Sequence, residues 1–403
     1  MIGKEKILLL GGSYQQVPAI VKAKELGYIT VVCDYLPDNP GRKVADKWYP
    51  VSTTDIDAVY DVAVRENVGG ILPYASDPAA LTAAVVADRL SLPTNPVEAV
   101  EILGTKHKFR HFLQENGFAY PDNYSFSKLT AIDIVKKNIK NFILPILIKP
   151  TDSSGSKGIS LVSNVENLEK AIRYASTFSR NGILIAEEYI DKGFPYVIGG
   201  DIFIEDEKIA LFGHMSCLRD KEGSGLIPVG KLYPDGLNSL QLSNLREELE
   251  RLIRLLGIKS GEFNLEVIID SDNKPHFLEL GPRAGGNMIP IQLSDIFNVD
   301  LIEANILAAM GKKVNLHPAI PESCFMTYVL HSEKSGYFET VNIHRDIMPY
   351  LYRKSVYKNN GDFVEAFDGA GKAVGIVFFK FPSIEVMRNF SENIDKYIKV
   401  EIG

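Results

Sequence analysis

A lysine followed by a loop of small residues is the first stretch that could do chemistry, ILPILIKPTDSSGSKGIS at residues 143–160. Apolar runs flank the loop, so the pattern predicts two strands joined by it rather than a helix that begins at it. Backbone amides of such a loop could cover phosphate groups, with the Lys149 ammonium as a point charge beside them. An ordinary flexible hairpin with a solvated lysine fits the segment equally well. A second site in the sequence is therefore needed to choose between this interpretation and a phosphate-binding loop.

Three known phosphate-binding patterns can be compared with this loop. A P-loop reads GxxxxGK[ST] and a Rossmann turn reads GxGxxG, and both open a helix, whereas this loop leads into the strand ISLV. Protein kinases do place a glycine loop between strands, and HRD occurs at residues 344–346. The kinase pattern also requires an asparagine where this chain has Leu351, and a DFG, which the sequence lacks. The sequence therefore argues against a protein kinase.

The second informative stretch is EFNLEVIIDSDNKPHFLELGPRAGGN at residues 262–287. Two alternating runs flank SDNK, which predicts a hairpin with a two-residue turn at residues 272–273. This register places Glu266 directly opposite Glu279. Like charges directly opposite each other destabilise a sheet unless something neutralises them. A divalent cation that also binds nucleotide phosphates would do so, because Mg²⁺ favours carboxylates, water and phosphate oxygens.

The same register divides the hairpin into two faces. The core face is predicted to carry Leu265, Val267, Ile269, Leu278 and Leu280, and the other face Asn264, Glu266, Ile268, Phe277 and Glu279. A solvated acidic pair on an exposed hairpin is the simpler interpretation. Arg283 and the glycines after the second strand favour a metal site instead, because they would supply a cation and backbone donors beside it.

The composition limits the classes of function. The 403 residues, 45% hydrophobic and 24% charged, are typical of a globular protein of about two to four domains. A net charge of −7 without a basic block argues against nucleic acid as a partner, and no apolar run reaches the roughly 18 residues of a membrane span. Cys33, Cys217 and Cys324 are far apart and form no CxxC pair, which fits a reducing cytoplasm.

Strand and helix signals alternate over about the first 95 residues, which predicts a parallel, doubly wound sheet. VEILGTKHKFRHFLQENG then predicts one amphipathic helix that ends at Gly117. Residues 120–190 predict a small α+β unit and residues 196–310 a larger one. The final part of the chain predicts short strands with one late helix. The predicted fold class is therefore α/β and α+β.

Taken together, these segments resemble the ATP-grasp superfamily over essentially the whole chain. Their order matches the branch that contains biotin carboxylase, phosphoribosylglycinamide synthetase and carboxyaminoimidazole ribonucleotide synthetase. The resemblance implies a Rossmann-like N-terminal domain, a linking helix, an ATP-grasp lid, an ATP-grasp catalytic subdomain and a small C-terminal β-rich unit. The expected boundaries are 1–95, 96–123, 124–190, 191–316 and 317–403.

The resemblance also implies a nucleotide site. GTKHKFRHFLQENG looks like the family helix whose early lysine contacts the phosphates, and AEEYI looks like the segment that holds adenine. Ile268, on the predicted face of the two glutamates, would also contact the nucleotide. The implied nucleotide-binding residues are Lys106, Lys149, Ser153, Ser154, Gly155, Ser156, Gly158, Glu187, Glu188, Ile190 and Ile268.

Metal-binding and catalytic roles follow from the same resemblance. Glu266 and Glu279 are similar to the paired metal carboxylates of the family. Arg283 is similar to the following arginine, which faces the transferring phosphate or the substrate. Arg283 and Lys149 would therefore be the catalytic residues.

The chain departs from the family at one metal ligand. Relatives often carry Glu-x-Asn on the second acidic strand, and the asparagine binds the metal, whereas this sequence reads Glu279, Leu280, Gly281. Because the predicted register places Asn264 opposite Gly281, we expect Asn264 to supply the missing amide. The predicted metal ligands are therefore Glu266, Glu279 and Asn264.

The activity implied is that of an ADP-forming carboxylate–amine ligase with ATP and Mg²⁺ as cofactors, Mn²⁺ being a substitute metal. A phosphoribosylglycinamide synthetase-like reaction, which would belong to purine biosynthesis, or an amino-acid ligase reaction would join a small carboxylate to an amine through an acyl phosphate. The alternative is an ATP-binding regulatory or structural module without turnover, although such a module would be expected to lose some of these lysines and glutamates. The expected form is a cytoplasmic homodimer.

The acid and the acceptor have less definite candidates. GGSYQQ at residues 11–16 follows the first strand, and Asp34 ends the second, where a doubly wound sheet offers a ligand crevice. The loop lacks the third glycine of a dinucleotide site, so the resemblance favours binding of the acid or of a ribonucleotide. YASDPAA at residues 74–80 is a second candidate. Three further residues can face the site, although a hydrogen-bonded structural role is the simpler interpretation of the histidine: Asp201, His214 and Arg219.

Overall fold

The computed structural model describes residues 5–153, 157–220 and 225–403. Ser154, Gly155 and Ser156, which the resemblance assigns to the nucleotide site, lie outside these described residues. The chain forms a parallel sheet of four strands and antiparallel sheets of four, eight and three strands. The predicted fold class, α/β and α+β, is confirmed. Among the described residues, no helix has both the length and the apolar sequence that crossing a membrane would require.

Four parallel strands form the first sheet, in the order β3-β2-β1-β4. Its elements are β1 (Lys6–Leu10), α1 (Val17–Glu25), β2 (Ile29–Cys33), β3 (Lys47–Tyr49), α2 (Ile56–Glu66), β4 (Gly70–Leu72) and α3 (Asp77–Arg89). Strands β1 and β2 are buried almost throughout, as expected of a sheet that helices cover on both faces. Because β2 and β4 flank β1, the loop after β1 opens where the strand order reverses, which is the usual ligand crevice of such sheets.

Two helices, rather than the single one predicted, connect this sheet to the rest of the chain. They are α4 (Val97–Gly104) and α5 (Lys106–Glu115), and Thr105 between them is extended, with φ −131° and ψ 106°. A glycine followed by a β-branched residue disfavours continuous helix at this point. The break makes Lys106 the first residue of α5.

The second sheet is antiparallel, in the order β5-β8-β6-β7. Its elements are β5 (Asn123–Ser127), α6 (Ile132–Asn138), β6 (Ile146–Pro150), β7 (Ser160–Val162), α7 (Leu168–Phe178) and β8 (Ile183–Glu188). The predicted strand–loop–strand around Lys149 is confirmed, because β6 and β7 pair with each other. Helix α7 buries Leu168, Ala171, Ile172 and Ala175 against the sheet, a spacing that places them on one helical face.

The eight-stranded sheet has the order β13-β12-β9-β10-β11-β14-β18-β16. Its first part contains β9 (Val197–Glu205), β10 (Lys208–Arg219), β11 (Pro228–Tyr233), α8 (Ser239–Leu256), β12 (Gly261–Ile269), β13 (Pro275–Gly281), α9 (Ile289–Phe297) and α10 (Leu301–Ala309). Helix α8 begins with a capping box of Asn238 and Gln241 and ends at the left-handed Gly257. Its buried leucines share one core with β12, β13 and residues Phe109 and Leu113 of α5.

The last part of the chain divides its strands between two sheets. Its elements are β14 (Cys324–Leu330), β15 (Gly336–Ile343), β16 (Leu351–Val356), β17 (Phe363–Val364), β18 (Gly375–Phe381), α11 (Ile384–Ser391), α12 (Ile394–Tyr397) and β19 (Ile398–Ile402). Strands β14, β16 and β18 extend the eight-stranded sheet, whereas β15, β17 and β19 form the sheet of three. The five domain boundaries given above stay a prediction.

The hairpin of β12 and β13 has the predicted pairing at its acidic end but a different turn. Glu266 lies opposite Glu279, as predicted. The predicted two-residue turn is wrong: Asp270 pairs with Lys274 across a three-residue loop, in which Asn273 is left-handed with φ +61°. The extra loop residue shifts the pairing by one, and a bulge next to Glu266 shifts it back. The bulge therefore places the two glutamates opposite each other.

The extra residue of the bulge is Leu278, and it reverses two predicted side-chain directions. Phe277, predicted beside the glutamates, is 1% exposed and packs in the core, edge to face on Phe118 with 6.1 Å between ring centroids. Leu278, predicted in the core, lies on the opposite face with Ile268. Both predictions were wrong for the same reason, because strict alternation does not reveal a bulge.

Replacing Phe277 by Ala is expected to lower the free energy of unfolding by about 3 to 5 kcal/mol, because the change removes a fully buried ring from a close-packed core. Leu278→Ala is expected to cost less, since this side chain is only partly buried. Urea unfolding of both variants measures the two costs. A larger loss for Leu278→Ala than for Phe277→Ala would contradict the bulge.

Candidate active site

The first turn of α5 brings a lysine to the open end of strand β6. The Lys106 amide donates to the Thr151 carbonyl at 2.9 Å, and its Nζ donates to the Ser153 carbonyl at 2.7 Å. The same Nζ lies 3.9 Å from Glu279 Oε2 on β13. The start of a helix also carries the positive end of the helix dipole. An anion between β6 and the acidic hairpin would therefore meet the Lys106 ammonium.

Lys149 on β6 forms an ion pair with Glu187 on the neighbouring strand β8. Arg110 of α5 binds the same carboxylate, with Nε 2.7 Å from Oε1. All three side chains are buried, with 7% of Lys149, 2% of Glu187 and none of Arg110 exposed. The resemblance assigns Glu187 to the adenine site. Because its carboxylate faces two cations, contact with a base would involve its backbone.

The charges of this group determine how it titrates. Burial alone would raise the pKa of Glu187, but Arg110 and Lys149 stabilise its carboxylate and hold the pKa at about 2. Burial lowers the pKa of Lys149, and the charge of Glu187 offsets part of that effect. One anion between two cations is therefore ionised at neutral pH.

Glu266 and Glu279 face each other across β12 and β13, and a quarter of each side chain is exposed. Arg219 Nη2 lies 3.4 Å from Glu266 Oε2. Burial would raise the pKa of Glu266, but the charges of Arg219 and Lys231 outweigh it and lower the pKa. This carboxylate is thus the better compensated member of the pair.

At Glu279, burial outweighs the nearby positive charges, so the pKa is raised rather than lowered. Burial raises its pKa, the Lys106 ammonium offsets part of the shift, and the negative charges of Asp77 and Glu266 add to it. The raised pKa reports a carboxylate whose charge the surrounding cations do not fully balance. A further cation beside Glu279 would restore that balance.

The acidic pair fits a magnesium ion that is shared with a nucleotide. Mg²⁺ is commonly held by one or two carboxylates together with water and phosphate oxygens. Among the residues that the structure describes, no three histidine, cysteine, aspartate or glutamate side chains are grouped to hold a metal by themselves. Phosphate oxygens would therefore have to complete the coordination by Glu266 and Glu279.

A cavity of about 110 Å³ lies between the second sheet and the acidic hairpin. Eight predicted residues line it: Lys106, Lys149, Glu187, Glu188, Ile190, Glu266, Ile268 and Glu279. Ser153 lies in an adjoining cavity with Lys106 and Glu279. Gly158 has φ +76° and packs on Phe178 and Pro150, where a side chain would be strained. Eight of the predicted residues, from the phosphate, adenine and metal groups, thus line one cleft.

Asn264 lies opposite Gly281, as the predicted register requires. Its Nδ2 donates to Asp201 Oδ1 at 2.7 Å and to the Gly200 carbonyl at 3.0 Å. Asp201 Oδ2 in turn accepts a hydrogen bond from the Gly285 amide at 2.7 Å. With the amide nitrogen engaged in this way, Oδ1 is the atom of Asn264 that would bind a metal.

Arg283 forms a bidentate ion pair with Asp77, in which Nε lies 2.7 Å from Oδ1 and Nη2 lies 2.5 Å from Oδ2. Burial would lower the pKa of Arg283, but Asp77 outweighs it and raises the pKa. Asp77 belongs to the segment 74–80, which the sequence offered as a second substrate candidate. The ion pair therefore joins that segment to the loop after β13.

The loop at residues 11–16 approaches the same region. Gln15 Oε1 accepts a hydrogen bond from the Asn287 amide at 2.7 Å, and Tyr14 stacks on Tyr357 with 5.4 Å between ring centroids. Asp34 accepts hydrogen bonds from the amides of Gly12 and Leu36 at 2.8 and 2.9 Å. The Asp34 carboxylate thus holds its own loop in place, which disfavours the ribose-binding role of a dinucleotide site.

Two buried cations of this region, Arg110 and Lys231, were not found by sequence reasoning. Arg110 follows Lys106 by four residues, and that helical spacing was the available signal. Lys231 is 7% exposed, and its Nζ lies 2.8 Å from the Cys217 sulfur. No motif marks Lys231, because a single lysine in an alternating strand is usually solvated. The hydrogen-bonded interpretation of His214 is confirmed by its 2.6 Å contact with Asp235.

A larger cavity, of about 950 Å³, lies between α3, α10 and the start of β12. Arg283 contributes to its wall, whereas the acidic pair and the two predicted phosphate lysines line the smaller cleft. Size alone would select the larger cavity. The smaller one is the candidate active site, because its walls carry the charges that a metal–nucleotide complex requires.

Glu187→Gln is expected to lower the free energy of unfolding at pH 7 by about 3 kcal/mol, since it leaves two buried cations without their anion. The folded pKa of about 2 lies below the ordinary value of 4.5, so the carboxylate stabilises the fold above pH 4.5. The difference between variant and unchanged protein should therefore shrink as the pH falls from 4.5 towards 2. Urea unfolding between pH 3 and pH 7 measures this.

The matched control for that change is Glu188→Gln, in the next residue of the same strand. Glu188 accepts a hydrogen bond from the Ile143 amide at 2.6 Å, which a glutamine oxygen can also accept. This variant should lose little stability. A loss for Glu187→Gln that is the same at every pH would contradict the ion-pair origin.

The sequence of this chain is similar to those of known proteins. A family model described as D-ala D-ala ligase C-terminus matches residues 113–194. The formate-dependent phosphoribosylglycinamide formyltransferase of Methanocaldococcus jannaschii is 24% identical, over 99% of this chain and 98% of its own length.

Solved structures of similar fold cover the chain from end to end. The L-amino acid ligase from Bacillus licheniformis superposes with a TM-score of 0.81 at 18% identity, over 100% of both chains. The biotin carboxylase domain dimer of Hydrogenobacter thermophilus 2-oxoglutarate carboxylase, solved with MgADP, ADP and bicarbonate, has a TM-score of 0.78 at 16% identity, over 99% of this chain and 91% of that one. The fold and the relatives therefore agree with the resemblance to ATP-grasp ligases that the sequence predicts.

Proposed function

We propose that this protein is an ATP- and Mg²⁺-dependent ligase. It activates a carboxylate as an acyl phosphate and transfers the acyl group to an amine, with ADP and phosphate as the other products. The observation that carries the proposal is the single cleft in which Lys106 and Lys149 face the acidic pair Glu266 and Glu279. A strand pair with opposed carboxylates and two nearby lysines suits a metal-bound polyphosphate.

The chain's own residues would mainly position the substrates and neutralise the negative charge of the phosphates. Lys106 and Lys149 would bind phosphate oxygens and spread the negative charge that phosphoryl transfer develops. The loop after β6 would exclude water, which would otherwise hydrolyse the acyl phosphate. Because these residues would form no covalent bond with the substrate, the sequence needs no Ser-His-Asp or Cys-His nucleophile set, and it shows none.

Glu266 and Glu279 would hold Mg²⁺, or Mn²⁺ in its place, and Asn264 Oδ1 would be the further ligand. The metal would neutralise the β and γ phosphate oxygens. The Hydrogenobacter relative, solved with MgADP, supports ATP and Mg²⁺ as the cofactors.

The acid and the acceptor amine would bind on the other side of the cleft. Arg283, the segment 74–80 and the loop 11–16 are joined there by hydrogen bonds and ion pairs. Arg283 would face the carboxylate or the phosphate that is transferred to it. The Methanocaldococcus and Bacillus relatives support a phosphoribosylglycinamide-type amine, as in purine biosynthesis, or an amino acid as substrate.

A cytoplasmic homodimer is part of the same proposal. The biotin carboxylase domain that shares this fold is a dimer. Three buried free cysteines suit a reducing compartment. Sedimentation of the purified protein would test the dimer, and a single monomeric species at micromolar concentration would contradict it.

The proposal is tested by trapping the acyl phosphate. The purified protein is incubated with MgATP, hydroxylamine and a panel of amino acids, small acids and purine-pathway ribonucleotides, and the products are read by mass spectrometry. We expect ADP together with the hydroxamate of one acid. ATP binding without ADP formation under any condition would instead support the regulatory or structural module.

Glu266→Gln and Glu279→Gln should each reduce ADP formation by about 100-fold or more, because each removes one of two charges that would hold the metal. The Mg²⁺ concentration for half-maximal rate should rise in both. Glu250→Gln, on the exposed side of α8 beside Arg246, is the matched control and should leave the rate unchanged. Retention of full activity by either site variant would show that the pair does not bind the metal.

Asn264→Ala should raise the Mg²⁺ concentration needed for half-maximal ADP formation by about tenfold, the effect expected for loss of a ligand or of its immediate support. Asn264→Asp keeps an oxygen but loses the donor to Asp201, and it should need less Mg²⁺ than the alanine variant. A Mg²⁺ dependence that Asn264→Ala leaves unchanged would refute the predicted ligand.

A further inference from the structure

Arg110 is the largest side chain that is completely buried, and it lies on α5, between the second sheet and the eight-stranded sheet. Its guanidinium makes hydrogen bonds in two directions. Nε donates to Glu187 on β8 at 2.7 Å, while Nη1 and Nη2 donate to the carbonyls of Phe277 and Leu278 on β13, each at 3.1 Å. One rigid group thus touches both walls of the candidate active site from behind.

The first contact affects Lys149. Glu187 would otherwise face Lys149 alone, and a buried carboxylate with one cation holds that cation strongly. With Arg110 as a second cation, the carboxylate is compensated from both sides. The Lys149 ammonium can therefore also interact with a phosphate, because Arg110 continues to compensate the buried Glu187 carboxylate.

The second contact affects the acidic pair. A bulge leaves an extra residue outside the regular ladder, so its backbone groups need other partners. Arg110 provides them at Phe277 and Leu278, directly before Glu279. Because this bulge restores the pairing of Glu279 with Glu266, Arg110 supports the geometry of the predicted metal site.

The position of Arg110 on α5 joins these effects to the nucleotide lysine. Lys106 precedes it by four residues and therefore shares one face of the helix. Phe109 and Leu113, which are 1% and 0% exposed, fix the helix in the core that also contains Phe277. One helical turn thus carries the lysine near Ser153 and the arginine that contacts both sheets.

We propose that Arg110 is a positioning residue that couples the lid strand β8 to the acidic hairpin. By compensating Glu187, Arg110 leaves the Lys149 ammonium available to a nucleotide. By supporting the bulge, Arg110 positions Glu279 for a divalent cation. The inference rests on the proposed function, since it assumes a nucleotide and a metal in this cleft. Neither role requires Arg110 to touch either ligand.

Two binding measurements on the full-length protein separate the two contacts. Calorimetry with ATP in the presence of EDTA reports the lysine side, and Mn²⁺ binding to the ATP complex, followed by electron paramagnetic resonance, reports the hairpin side. The variants are Arg110→Met, Arg110→Lys, Glu187→Gln and the double change of Arg110→Met with Glu187→Gln. Arg251→Lys is the matched control, because Arg251 is a partly buried arginine that stacks on Phe118 in the same core.

Arg110→Met should weaken ATP binding by about tenfold and Mn²⁺ binding by a similar factor, since both contacts are lost. Arg110→Lys keeps a cation for Glu187 but not the fork that reaches the two carbonyls. Its ATP affinity should stay within about threefold of the unchanged protein, while its Mn²⁺ affinity falls as in the methionine variant. Removing the Glu187 charge in the double variant should restore ATP affinity but not Mn²⁺ affinity.

A purely structural arginine would behave differently. If Arg110→Met and its double variant with Glu187→Gln bind ATP equally weakly, the charge relation to Lys149 is refuted. If Arg110→Lys binds Mn²⁺ like the unchanged protein, the bulge relation is refuted. If thermal unfolding shows that Arg110→Met does not fold, Arg110→Lys alone tests the proposal. Equal losses of ATP affinity and of Mn²⁺ affinity in Arg110→Lys would then refute the coupling.

The same titrations distinguish failure of this inference from failure of the proposed function. Unchanged protein that binds neither ATP nor Mn²⁺ would refute the proposed function and the coupling with it. Unchanged protein that binds both, with all Arg110 variants equal to it and to Arg251→Lys, would refute only the coupling.

Discussion

Glu266 and Glu279 stand directly opposite each other on neighbouring strands, and the repulsion between them is the constraint to which the surrounding structure responds. A sheet tolerates such a pair only if positive charge is close by. Arg219 and Lys231 compensate the first glutamate, and Lys106 only partly compensates the second. The resulting deficit of positive charge is located where a cation can enter from the cleft, since a quarter of each side chain is exposed.

The cations of the site come from separate parts of the chain, and the two predicted phosphate lysines are held by contacts that leave part of their charge available. Lys106 is fixed by a backbone carbonyl, and Lys149 shares its carboxylate partner with Arg110. Arg283 is different, because its ion pair with Asp77 is bidentate and complete. This contrast suits two tasks: the lysines can offer positive charge to a polyphosphate, and Arg283 is held in a fixed position between the first sheet and the loop after β13.

Local chemistry in the sequence was enough to single out the two glutamates and the lysine of β6, whereas Lys106, the first lysine of α5, came from the family resemblance. Alternating strands and helical spacing also gave the fold class, because each depends on short-range periodicity. Other features depend on tertiary structure. The three-residue turn shifts the strand pairing by one residue, and the bulge at Leu278 shifts it back. The predicted pairing of Glu266 with Glu279 was therefore correct, although Phe277 and Leu278 were assigned to the wrong faces.

Arg110 and Lys231 escaped sequence reasoning for a related reason. Their contacts depend on what lies on a separate sheet or on an adjacent strand, and charged residues are usually exposed. The break at Thr105 was also missed, since Gly104 can continue a helix at modest cost. Long-range packing decides the positions of the two cations, whereas the break at Thr105 follows from a local preference that is too weak to predict it alone.

The order of strands in the eight-stranded sheet has a consequence for synthesis on the ribosome. Strand β11, which carries Lys231, obtains its neighbour β14 only from the last part of the chain, and β14 in turn pairs with β18. Until those segments emerge, β11, with Val229 and Leu232, is an open edge with which other nascent chains can pair. The eight-stranded sheet is therefore complete only after β18 has been translated, and a chain that stops before β14 leaves the edge of β11 unpaired.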